Sequence, residues 1–68
     1  MINTRKLRGV IAENGYSQRA LAEELGMTPK TFYNKMERGV FDTDEVMQLI
    51  TLLHIDHPMD IFFVTNVT

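Results

Sequence analysis

Apolar residues recur along this chain at helical spacing, in short runs separated by turn residues. Leu7, Val10 and Ile11 form the first i, i+3, i+4 stripe and predict a helix from about Thr4 to Asn14. Asn3 is placed to cap it, with Ile2 and Leu7 as a hydrophobic staple and Gly15 to end it. Gly9 lies inside this helix, at a cost of roughly 1 kcal/mol relative to Ala. Leu21, Ala22 and Leu25 form the second stripe, and Phe32 and Met36 the third. Ser17 and Thr28 are N-cap residues, and Pro29 falls at the first helical position, where its missing N–H does no harm. Met27 and Phe32 bracket the second of these caps as a staple. Gly26 can take the left-handed backbone conformation that ends a helix at low cost.

Helices this short bury little surface of their own and must pack steeply on something else. Ala22 is small where the two should approach closely. That is the geometry of a helix-turn-helix, whose second helix, here about Pro29 to Glu37, can enter the DNA major groove. Further on, Asp42-Thr43-Asp44-Glu45 is a D-x-x-E capping box, with Phe41 and Val46 as its staple. Val46, Leu49, Ile50 and Leu53 supply the apolar face of a fourth helix, and the acids of its first turn suit the positive end of the helix dipole. A short fifth helix is expected to open at Asp56 or His57, with Pro58 near its first position and Ile61, Phe62 and Phe63 following. The tail, residues 64–68, is rich in β-branched residues and reads as either a short C-terminal strand or a frayed end. The expected fold is all-α, four to five short helices in one domain spanning residues 1–68.

The segment 17–39, SQRALAEELGMTPKTFYNKMERG, resembles the Cro and repressor helix-turn-helix family of phage and bacterial regulators. It looks most like short Cro-like proteins of phages that infect low-GC Gram-positive bacteria. The resemblance rests on the SQ-x-x-LA-x-x-LG pattern, here Ser17-Gln18, Leu21-Ala22 and Leu25-Gly26, and on the TFYNKMERG tail. This motif covers about a third of the chain. Two positions depart from the family pattern. Phe32 stands where many members have Ile or Val, and Pro29 where a polar side chain often helps to read bases.

The resemblance implies a lambda repressor-like fold and a sequence-specific repressor. Such a protein binds double-stranded operator DNA as a homodimer, in a genetic switch in the cytoplasm of a bacterial host cell. A second reading is an antirepressor or modulator that pairs with a cognate repressor protein. The resemblance also places Gln18 to bond a phosphate and to brace the first residue of the recognition helix.

The residue pattern names the DNA-facing set. With Phe32 and Met36 turned inward, Lys30, Tyr33, Asn34 and Glu37 lie outward, with Thr28 at the N-terminal tip. Asn34 can pair with adenine N6 and N7, and Lys30 can reach guanine O6 or N7. Tyr33 can pack on a thymine methyl or donate to a phosphate. Thr31, Lys35 and Arg38 complete the set, and Arg5, Lys6 and Arg19 are further candidates for phosphate. Phe62 and Phe63 are adjacent and cannot both face one small core. One of them, with Val64 and Val67, is a candidate homodimer contact, with the tail pairing as an antiparallel ribbon.

The net charge of −2 argues weakly against a nucleic-acid partner, but its distribution reverses that impression. Residues 1–38 hold all seven basic residues against four acidic ones, a net of +3. Residues 39–68 hold five acids and no Lys or Arg, a net of −5. Phosphate binding depends on the local field, so the pattern reads as a basic DNA face and an acidic face turned away from it. The acidic half, with aromatics near its end, would equally suit a basic protein partner.

Other chemistries find little support. The absence of cysteine leaves neither disulfide nor thiolate zinc site. His54, Asp56, His57 and Asp60 do not have a recognised metal spacing, so no metal or cofactor is expected. Ser17, the sole serine, serves as a cap, there is no Gly-rich phosphate loop, and no enzyme activity is expected. The five methionines read as core filler, with Met27, Met36 and Met47 on or beside apolar stripes. No stretch approaches the roughly 20 apolar residues of a membrane span, and MINTRKLRG is not followed by the apolar run of a signal peptide.

Overall fold

The computed structural model describes residues 2–63, which form five helices: α1 (Thr4–Glu13), α2 (Gln18–Glu24), α3 (Pro29–Arg38), α4 (Thr43–Leu52) and α5 (Met59–Phe62). Four of them start on a side-chain cap. Asn3 accepts from Lys6 N, Ser17 from Ala20 N, Thr28 from Thr31 N and Asp42 from Glu45 N. Each bond satisfies one of the N–H groups that a helix start leaves unpaired. The box at α4 is complete, because Glu45 Oε1 also accepts from the Asp42 backbone N–H at 2.9 Å.

α1 to α4 also share one way of ending. A residue with positive φ follows the last turn, and two backbone N–H groups reach back to carbonyls of that turn, which is the Schellman arrangement. After α2, Gly26 takes φ 74° and Met27 N donates to Ala22 O at 3.0 Å. After α4 the same position is His54, at φ 51°, and Ile55 N donates to Ile50 O at 3.1 Å. The abrupt stop at Gly26 lets α2 and α3 fold back on each other across residues 25–28.

The core is one cluster to which every helix contributes: Leu7 and Ile11 from α1, Leu21 and Ala22 from α2, Phe32 and Met36 from α3, Leu49 from α4, and Ile61 and Phe62 from α5, joined by Leu53. Phe32 is fully buried, and its ring centroid lies 5.6 Å from that of Phe41. Two backbone or amide bridges tie distant segments to this core. Asn3 N donates to Ile61 O at 2.7 Å, joining the start of α1 to α5. Asn14 Nδ2 donates to Leu53 O at 3.1 Å, joining the ends of α1 and α4.

Two expectations need correction. The fifth helix opens on Pro58, not on Asp56 or His57, and has no side-chain cap. Pro58 is itself helical at φ −62°, and the His57 carbonyl accepts from Asp60 N at 3.0 Å. Met47 is 60% exposed, so it does not fill the core as Met36 does. Gly9 faces open space, with nothing within 4 Å of where a Cβ would stand. The expected strand or frayed end at 64–68 lies outside the described residues. Among the described residues there is no strand.

Candidate nucleic-acid interface

α3 presents two faces of opposite chemistry. At about 100° per residue, Phe32 and Met36 point to one side, and Lys30, Asn34 and Glu37 to the other. Burial follows that division: Phe32 and Met36 lie in the core, while Lys30, Thr31, Tyr33, Asn34, Glu37 and Arg38 are exposed. The expected base-reading pair, Lys30 and Asn34, is therefore central on the solvent side.

The N-terminal tip of α3 is ordered by its own hydroxyls. Thr28 Oγ1 accepts from Thr31 N at 3.2 Å and donates to Thr31 Oγ1 at 2.9 Å. The two hydroxyls share one proton between them, which leaves the other hydroxyl proton for an acceptor such as a phosphate oxygen. Gln18 opens α2 and is half-buried. Among the described residues no hydrogen bond links it to α3, so the expected brace is absent here.

The remaining cations divide. Arg5, Arg19 and Arg38 are exposed. Lys6 is exposed but lies 3.9 Å from Asp60. Lys35, expected among the DNA contacts, is instead ion-paired: its Nζ donates to Glu45 Oε2, with the side chains only 31% and 13% exposed. Its position on α3 is between the core face and the solvent face, and α4 supplies the carboxylate that fills that gap. The sequence reading missed this role of Glu45, although its place in a capping box marked it as a fixed side chain.

The two candidate dimer aromatics also separate. Phe62 is 4% exposed and belongs to the monomer core, so it is withdrawn as a surface contact. Phe63 is 55% exposed. Val64 and Val67 lie outside the described residues. An apolar groove missed by the sequence reading runs beside Phe63, lined in part by Val40, Phe41, Val46, Met47 and Ile50.

No described helix is long and apolar enough to cross a membrane. Comparison with curated proteins and with solved structures finds no match. One family model does match, that of the bacterial regulatory protein, Fis family, over residues 4–39, which takes in α1, both arms of the helix-turn-helix and the glycine after α3. The matched segment is more than half of the 68-residue chain, and the chain belongs to this family of helix-turn-helix DNA-binding regulators.

Proposed function

We propose that this protein is a sequence-specific transcriptional repressor of the Cro-like kind, acting at operator DNA in a phage or bacterial genetic switch. The observation that carries the reading is the placement of Lys30 and Asn34 on the exposed side of α3, opposite the buried Phe32 and Met36. In this reading α3 lies in the major groove, Asn34 pairs with an adenine, Lys30 with a guanine, and Tyr33 packs on a thymine methyl. Thr28, Thr31, Arg38 and Gln18 hold the phosphates on either side. Residues 1–68 act as one domain in the bacterial cytoplasm and bind a two-fold site as a homodimer, with Phe63, Val64 and Val67 as candidate contacts between copies.

The test is fluorescence anisotropy with the duplex flanking the protein's own gene, against a scrambled duplex, at two salt concentrations. Tight, salt-sensitive binding to the native duplex alone supports the repressor reading, and equal weak binding to both overturns it. A second reading, an antirepressor that pairs with a cognate repressor, draws on Val40, Met47 and Phe63, which are 63%, 60% and 55% exposed, beside a segment of net acidic charge. Retention of DNA only when the partner repressor is present would favour it.

A further inference from the structure

The capping glutamate of α4 performs two tasks with one carboxylate. Oε1 accepts from the Asp42 backbone N–H at 2.9 Å, and Oε2 accepts from Lys35 Nζ. The first bond belongs to α4 and holds the carboxylate in place. The second reaches across to the last turn of α3 and occupies one of that helix's three cations, the others being Lys30 and Arg38. Lys35 also lines one open groove with Thr31, Asn34 and Arg38, so its side chain borders the exposed side of α3. Its flexible four-carbon stem can swing toward that surface once the carboxylate lets go. A carboxylate held 13% exposed beside an ammonium is a competitor for phosphate built into the fold.

We infer that Glu45 sets the strength of DNA binding by withholding Lys35 from the phosphate backbone. The inference rests on the DNA-binding reading of α3. Because phosphate contacts are blind to sequence, the effect falls on operator and non-operator DNA alike and keeps the protein from lingering on the latter. Glu45 is thus a positioning residue for the interface without touching DNA.

The test compares three proteins in salt-dependent DNA binding. In Glu45→Gln the capping box survives, since Gln also serves at that position, but the charge that holds Lys35 is gone. Binding to native and scrambled duplexes should tighten together. The salt dependence should steepen by about one phosphate, an additional loss of roughly three- to fourfold in affinity between 50 and 200 mM salt. The double variant K35M/E45Q removes the cation as well and should return to the wild-type slope. An unchanged slope in Glu45→Gln overturns the inference. So does a double variant with a slope shallower than wild type, since Lys35 would then already be on phosphate. Urea unfolding of each variant separates these outcomes from loss of the fold. A wild-type chain that binds no DNA at any salt would overturn the reading of α3 itself, and the inference with it.

Discussion

The side-chain amide of Asn14 joins the ends of two helices, donating 3.1 Å to the Leu53 carbonyl and 2.9 Å to that of Val10. The Leu53 carbonyl lies just beyond the last turn of α4, where carbonyls lack partners from the helix itself, whereas Val10 O also accepts from the Asn14 backbone N–H at 3.1 Å. Asn14→Ala is expected to cost about 1 kcal/mol in urea unfolding, the net worth of such bonds. Asn14→Asp should cost more than Ala, although it is nearly isosteric. A carboxylate there would face two carbonyl oxygens with no proton to offer. Equal stability of the Asp variant and wild type would show that the bridge carries no energy.

His54 holds a left-handed backbone conformation, φ 51°, at a position that glycine fills after α1, α2 and α3. A Cβ in that region is strained, so His54→Gly is expected to stabilise by about 0.5–1 kcal/mol, after allowing for the greater freedom of glycine in the unfolded chain. The melting temperature should rise by a few degrees with DNA affinity unchanged. A fall in melting temperature would mean that the imidazole makes contacts worth more than the strain.

Gly9 offers the opposite case, a glycine in a helix interior that needs none of its freedom. A methyl group added there meets nothing within 4 Å. Gly9→Ala should therefore stabilise by about 0.5–1 kcal/mol, read from the urea midpoint at an unchanged m-value. No gain would point to a role of the bare backbone outside the isolated chain.

The starts of the helices were legible because caps are local chemistry. Asn3, Ser17, Thr28 and Asp42 each bond an N–H three residues ahead, and the sequence displays both partners. The ends were legible where glycine marked them and hidden at His54, whose residue type does not advertise positive φ. The exposed side of α3 followed from helical periodicity alone. The fate of Lys35 did not, because its partner stands ten residues on in another helix and meets it only through the packing of α3 on α4. For Phe62 and Phe63 adjacency showed that one must leave the core. The choice of Phe62 to stay depends on where α5 begins, and that boundary was misplaced.

Asn34 and Arg38 share the exposed side of α3 but should fail differently when removed. A base-edge contact carries sequence information and little salt dependence, whereas a phosphate contact carries the reverse. Asn34→Ala is expected to cost about 1–3 kcal/mol on the preferred duplex and to relax preference at one base pair, with the salt slope unchanged. Arg38→Ala should weaken binding to all duplexes similarly and flatten the slope by about one phosphate. Titrating both variants against a panel of single-base-pair substitutions at two salt concentrations separates the two roles. If Asn34→Ala weakened every duplex equally and flattened the slope, Asn34 would be a phosphate contact, and base reading would rest on Lys30 and Tyr33.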